Sequence, residues 1–231
     1  MLKFAMVKFH IIIPAAGSGS RMGLGQPKQY LKIHKKTFVE RVIRVFENIS
    51  LVNSIHIALH RDDDIWKKLN LSFSAKVNVH YCGGESRVKT VLNTLGVIKD
   101  SVGENDWILV HDAARPGIEE KEVQHLMHTL QNDSVGGLLA YPIVDTIKIS
   151  NQEDRVVDSP LRDNLWQAQT PQMYRYKMLC DALEQFNGVP TDESQAIEHL
   201  GMKPKLIKGN LKNFKVTYQE DLSILESLID K

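Results

Sequence analysis

Short runs of aliphatic and β-branched residues alternate along the chain with segments whose apolar positions recur every three to four residues. The runs near residues 9–13, 54–59, 77–81, 107–110 and 137–141 predict buried strands, and the intervening residues 37–49, 85–98 and 119–130 predict amphipathic helices. Strands alternating with helices of this length imply right-handed βαβ units. The expected fold is therefore α/β, a mostly parallel sheet with helices on both faces and ligands at the C-terminal strand ends. The alternation fails after Pro142, where residues 145–150 and 155–158 flank a polar turn at 151–154, a hairpin signature. A two-stranded arm is marginally stable in water by itself, so it predicts packing against a second subunit. Beyond it, residues 166–169 predict a return to the sheet. Helices are predicted at 176–186, 192–200 and 219–229. With no repeat, low-complexity tract or long linker, the 231 residues are expected to form a single domain carrying an arm at about 142–166.

Charge narrows the partners. Lys and Arg total 29 against 28 Asp and Glu, a net charge of +1, so nucleic acid is not an expected partner and any anion recognition is local. No apolar run approaches the roughly 18 residues of a membrane span. Lysines interrupt the apolar residues before the first strand, so neither a membrane segment nor a secretory leader is expected and the cytoplasm is the expected location. Cys82 and Cys180 lack metal-binding spacing and are expected to be packing thiols.

The first strand runs into Pro14-Ala15-Ala16-Gly17-Ser18-Gly19-Ser20-Arg21-Met22-Gly23, followed closely by Gln26-Pro27-Lys28-Gln29-Tyr30. A small-residue loop after a buried strand lets backbone N–H groups approach an anion, and Arg21 and Lys28 add two positive charges beside it. The segment reads as a cradle for a nucleoside triphosphate. It is no Walker A loop, because Leu24 follows Gly23, and no dinucleotide fingerprint, because Met22 occupies the third glycine position.

Asp112 lies just past the apolar run 107–110, at the ligand-binding edge. A lone carboxylate there suits Mg²⁺, which keeps several waters and takes phosphates as its other ligands; the alternative is that Asp112 caps the following turn. His111 is catalytic by residue type, but strand alternation also packs it inside the fold. Arg115 can simply brace the loop. Gly83 and Gly84 open the helix that carries Thr90 and allow a planar base to lie against the backbone, or else form a turn and helix cap. Lys215 sits in a short strand-like stretch at 213–217.

Together Pro14-Ala15-Ala16-Gly17, Arg21-Met22-Gly23, Pro27-Lys28-Gln29-Tyr30, Val110-His111-Asp112-Ala113-Ala114-Arg115-Pro116, Asp145-Thr146, Leu165-Trp166, Thr170-Pro171-Gln172, Thr191-Asp192-Glu193 and Lys215-Val216-Thr217 resemble, from about residue 9 to the end, the 2-C-methyl-D-erythritol 4-phosphate cytidylyltransferases of the non-mevalonate isoprenoid pathway. The resemblance implies a Rossmann-like nucleotidyltransferase fold and a homodimer joined through the hairpin arm. It also implies Mg²⁺-dependent transfer of CMP from CTP to the methylerythritol phosphate with release of pyrophosphate, Mn²⁺ being the alternative metal. Carried over by position, it assigns Pro14, Ala15, Ala16, Gly17, Gly83, Gly84, Thr90, Asp112 and Ala113 to the nucleotide. Arg21, Lys28 and Lys215 would act on the phosphates, and Asp112 would hold the metal. Thr146 and Arg162, from the partner's arm, and Thr191 and Asp192 would meet the acceptor. Two positions depart from the family's pattern: Thr90 stands where serine is common, and Leu161 precedes Arg162 where aspartate is common.

Such a reaction needs no general base, since a phosphate monoester's second pKa lies near 6. Two alternatives stand beside it: a ribitol 5-phosphate cytidylyltransferase, which has overlapping motifs, and a noncatalytic CTP-binding protein, which would retain residues 15–17 but need neither Lys215 nor Arg162. A nicotinamide-dependent oxidoreductase is disfavoured by Met22 and by the absence of a clear ribose-binding acid after the second strand.

Overall fold

The computed structural model describes residues 7–18 and 26–229. Seven strands form one sheet: β1 (Phe9–Ala15), β4 (Val52–Leu59), β5 (Val77–His80), β6 (Trp107–Val110), β7 (Gly136–Pro142), β10 (Trp166–Arg175) and β11 (Lys205–Lys208), in the order β11-β7-β10-β6-β1-β4-β5. All pairings are parallel except those of β10, which runs antiparallel to both β6 and β7.

Alternation along β1 explains the layering. Ile11 and Ile13 join one core cluster with Val39, Val42 and Phe46 of α1 (Phe38–Asn48) and Val123, Leu126 and Leu130 of α4 (Glu120–Leu130). Ile12 joins the opposite cluster with Val91 and Leu95 of α3 (Arg87–Ile98), Leu179 and Leu183 of α5 (Tyr176–Gln185), and Ala196 and Ile197 of α6 (Glu193–His199). Both faces are thus covered, so central strands read as continuous apolar runs. A smaller cluster seats Val216 and Leu225, the latter from α7 (Glu220–Leu228), against Leu31, Ile33 and Phe38.

Several expectations change in detail. The return strand predicted at 166–169 is the ten-residue β10, and its insertion between β6 and β7 breaks the parallel run. β11 was not predicted, because its edge position leaves only Ile207 buried. A small hairpin of β2 (Lys32–Ile33) and β3 (Lys36–Thr37) turns through His34 and Lys35, both at positive φ. Neither residue announces such a turn as Asn-Gly would. The short α2 (Ile65–Lys68) was likewise not anticipated. The arm pairs only β8 (Ile149–Ser150) with β9 (Val156–Asp158), fewer residues than predicted. Val144, Ile149, Val156, Val157 and Leu161 are all exposed along residues 144–161. The strand-like stretch around Lys215 is not a strand: a 3₁₀ turn (Leu211–Asn213) leads into extended chain without sheet partners.

Candidate active site

The C-terminal ends of β1 and β6 meet α3 at an open cleft of about 510 Å³, lined among others by Pro14, Ala15, Ala16, Gly17, Lys28, Gly84, Thr90, Asp112, Ala113 and Lys215. That is a usual volume for a small-molecule site. Most residues assigned to the nucleotide therefore converge. Arg21 lies outside the described residues.

Short local contacts build this convergence. Gln29, itself buried, donates from Nε2 to the Ala15 carbonyl (2.7 Å) and holds the mouth of the β1 loop. Gly83 lies behind the cleft: a Cβ there would come within 2.4 Å of the Ala16 Cβ and 2.8 Å of the Leu59 carbonyl, so glycine lets the two loops approach. At Gly84 the backbone N–H donates to Thr90 Oγ1 (3.0 Å), whose own hydroxyl donates to the Ser86 carbonyl (2.9 Å). Thr90 is buried and its hydroxyl proton is engaged, so it shapes the loop at Gly84. Ser86 caps α3 through Lys89 N (3.1 Å).

Lys215 owes its position to main-chain ties. Val216 N donates to the Ala114 carbonyl (2.9 Å), and Lys28 Nζ donates to the carbonyls of Thr217 (2.9 Å) and Val216 (3.3 Å). Asp221 clamps the next turn by accepting from Thr217 N and Tyr218 N. The two lysines thus share one structural unit although 187 residues of sequence separate them.

Asp112 is the electrostatic centre. Its Oδ2 lies 2.7 Å from Lys215 Nζ and 3.8 Å from Arg115 Nε, and Arg87 Nε donates to Oδ1 at 2.6 Å. Burial alone would raise its pKa; Arg87, then Lys215 and Arg115, overturn that and hold the carboxyl well below the usual range. Arg87 also donates from both terminal nitrogens to Glu193, at 2.6 and 3.0 Å, and Glu193 is fully buried. Burial works against the guanidinium charge, but Asp112 and Glu193 outweigh it and raise its pKa. Sequence reasoning missed Arg87 and Glu193 as site residues. The signal available was a charged residue at the start of each predicted helix, which reads equally as a solvated first turn.

His111 and Arg115 serve the scaffold. The His111 ring is buried, with Nδ1 3.0 Å from Thr170 Oγ1 and Nε2 3.2 Å from the Arg115 carbonyl, and burial pushes its pKa down to about 4. Arg115 braces the loop by donating to the carbonyls of Asn213 (2.9 Å) and Ala168 (3.2 Å).

The predicted acceptor residues are not among those lining the cleft. Thr146 and Arg162 are exposed on the arm, where an Arg162 terminal nitrogen donates to the Val144 carbonyl. Asp192 caps α6 through Gln195 N (2.9 Å) and accepts from Gln172 Nε2 (2.9 Å); Thr191, beside it, is exposed. For a metal, the described residues offer no group of three or more His, Cys, Asp or Glu. A buried carboxylate, Asp112, beside the lysines of the cleft nevertheless fits Mg²⁺, whose remaining ligands are typically water and phosphate oxygens.

A mostly parallel α/β sheet with lysines gathered at its C-terminal edge, beside a small-residue loop and a buried aspartate, is an arrangement suited to binding a nucleotide's phosphates. The comparisons are specific. The family model for 2-C-methyl-D-erythritol 4-phosphate cytidylyltransferase matches residues 9–231. The cytidylyltransferase of that name from Nitrosomonas eutropha is 44% identical over 97% of both chains, and that from Nitrosospira multiformis 43% identical over 97% of this chain and 98% of its own. A crystal structure of a 4-diphosphocytidyl-2C-methyl-D-erythritol synthase aligns with a TM-score of 0.87 at 34% identity, covering 98% of this chain and all of that one. The Francisella tularensis enzyme aligns at 0.81 and 32% identity over 96% of this chain. The chain belongs to the 2-C-methyl-D-erythritol 4-phosphate cytidylyltransferase family and is a CTP-dependent nucleotidyltransferase.

Proposed function

We propose that the cleft around Asp112, Lys28 and Lys215 is where this enzyme transfers CMP from CTP to 2-C-methyl-D-erythritol 4-phosphate, giving 4-diphosphocytidyl-2-C-methyl-D-erythritol and pyrophosphate. Family membership favours this acceptor over ribitol 5-phosphate and an enzyme over a CTP-binding regulator. The observation that carries the site is the 2.7 Å contact of Lys215 with a buried Asp112, in a segment that Lys28 binds directly.

The chemical obstacle is electrostatic. A phosphate dianion must approach a nucleotide carrying about four negative charges, and two unit charges 4 Å apart repel by roughly 4 kcal/mol at an effective dielectric near 20. Lys28, Lys215 and Arg21 answer that repulsion, and fixed cations placed where charge develops act as electrostatic preorganisation. The acceptor phosphate is largely ionised at neutral pH, so it attacks the α-phosphorus without a base and pyrophosphate departs. The loop of Pro14, Ala15, Ala16 and Gly17 receives the phosphates and ribose, and Gly84 and Ala113 form the cytosine and nucleoside wall, with Gly83 and Thr90 holding the Gly84 loop from behind. Asp112 would hold Mg²⁺, or Mn²⁺ in its place, which supplies charge neutralisation on the phosphates.

In this reading the chain is one nucleotidyltransferase domain, and the arm at about 142–166 joins two copies. Thr146 and Arg162 then reach the partner's acceptor site, near Thr191 and Asp192. The apolar residues exposed along that arm support pairing. The described residues contain no helix long and apolar enough to cross a membrane, and both cysteines are free, which supports a cytoplasmic enzyme.

The deciding assay is pyrophosphate release from CTP and Mg²⁺ with 2-C-methyl-D-erythritol 4-phosphate, alongside ribitol 5-phosphate and no acceptor. Release dependent on the methylerythritol phosphate is expected. Release only with ribitol phosphate would overturn the acceptor, and CTP binding without release would overturn the enzyme reading.

A further inference from the structure

Arg87, half-buried at the cleft, and the fully buried Glu193 pair at the first residues of two helices, α3 and α6, and Arg87 also reaches Asp112. Its placement is poor for stability alone. A cation in the first turn of α3, which holds no acidic residue, opposes the helix macrodipole. Removing the Glu193 carboxylate fully from water also tends to offset what its attraction to Arg87 contributes. A local rule broken at a cleft points to function.

The geometry shows what the pair does. A guanidinium facing a lone carboxylate tends to chelate both oxygens as a fork. Here Glu193 takes both terminal nitrogens, and Arg87 keeps only Nε for Asp112 Oδ1. Asp112 Oδ2 is thereby left to Lys215. We propose that Glu193 is a positioning residue of the transferase, holding Arg87 in the orientation that leaves one Asp112 oxygen facing the reacting end of the cleft. This rests on Asp112 and Lys215 serving the reaction as proposed above. It also couples two regions: Glu193 directly follows Asp192, assigned to the acceptor, whereas Arg87 directly follows Ser86, which sets the Gly84–Thr90 loop. The segment that meets the acceptor is thus tied to the carboxylate that organises the CTP phosphates.

The test is Glu193→Gln, which preserves size and removes the charge, with turnover normalised to CTP sites counted by calorimetry. Loss of an outer partner of a site residue typically costs 10- to 100-fold. We expect kcat to fall by roughly that factor while KM for CTP stays within about threefold. In an Arg87→Met background the same change should add little, since Glu193 acts through Arg87. Unchanged kcat, or effects of the two substitutions that simply multiply, would overturn the proposal. If Glu193→Gln does not fold, Glu193→Asp, which keeps the charge but shortens the reach, carries the same cycle. A crystal structure of the folded variant gives a readout independent of turnover. Arg87 should re-fork onto both Asp112 oxygens and displace Lys215, and an unmoved Arg87 would overturn the role whatever the activity. A wild-type enzyme inactive with every acceptor would defeat the proposed reaction and leave that structural readout standing.

Discussion

Lys215 Nζ and Asp112 Oδ2 lie 2.7 Å apart, an ion pair whose carboxylate is buried and whose ammonium is partly open to the cleft. In Asp112→Asn, Arg87, Lys215 and Arg115 lose their common counter-charge. Breaking a buried pair from one side typically costs about 3–5 kcal/mol; screening of the more exposed Lys215 places the expected loss toward the lower figure. Because the folded-state pKa of Asp112 is depressed, its contribution is full above the unfolded value of about 4 and drains as pH falls below it. Thermal melts between pH 7 and 3 should show wild type losing its advantage over Asp112→Asn below about pH 4. A constant difference down to pH 3 would show that the carboxylate is not stabilised as its surroundings indicate.

Lys28 and Lys215 are held by one main-chain unit, yet they are not interchangeable. Either alanine variant should lower turnover by roughly 10² or more, in line with removing one donor that stabilises developing charge. Lys28→Ala should also loosen the 215–217 segment, because Lys28 donates to the carbonyls of Val216 and Thr217. Hydrogen exchange at those residues should therefore rise in Lys28→Ala and stay near wild type in Lys215→Ala. Equal exchange in both would assign the lysines only to the phosphates.

The departure at Thr90 is mild on structural grounds. Its hydroxyl both accepts from Gly84 N and donates to the Ser86 carbonyl, and serine supplies the same two functions. Thr90→Ser should leave KM for CTP within about twofold. Thr90→Val keeps the shape but strands the Gly84 N–H, a loss of about 1 kcal/mol or more that should raise KM roughly five- to tenfold. Equal KM values for wild type and Thr90→Val would separate Gly84 from nucleotide recognition.

What was legible in the chain follows from physics that is local in sequence. Continuous apolar runs marked β1, β4, β6 and β7, and the small-residue loop after β1 marked the cleft, because burial on both faces and close backbone approach each demand particular residue types. β11 was hidden since an edge strand needs only Ile207 inward. The antiparallel direction of β10 was hidden too, because parallel and antiparallel central strands carry similar apolar runs. Lys215 was recognised by resemblance but misread as part of a strand: its placement comes from Ala114, Lys28 and Asp221, far from it in sequence or accepting through side chains that no periodicity records. Arg87 and Glu193 were passed over for the same reason, since an ion pair between two helix starts exists only after folding.

On the face of the sheet under α3, a hydrogen-bonded row joins His10 to Ser54 (2.7 Å), Ser54 to His56 (2.7 Å) and His56 to His80 (3.0 Å). Burial pushes His56 down to about 3, assisted by His80 and then His10, and burial likewise lowers His10 and His80. These rings are neutral in the fold and protonate more readily in the unfolded chain. Their contribution to stability is therefore full above about pH 6.5 and declines as pH falls, for His56 toward its folded value of about 3. A fully shifted histidine contributes a slope of roughly 1 kcal/mol per pH unit inside that window. Replacing His56 with Gln, which removes the titration, should flatten the decline in denaturant midpoint between pH 6 and 4 relative to wild type. The two curves should run parallel between pH 7 and 8, where the ring is neutral in both states. A wild-type slope equal to that of His56→Gln throughout pH 6 to 4 would mean that His56 is solvated enough to titrate normally.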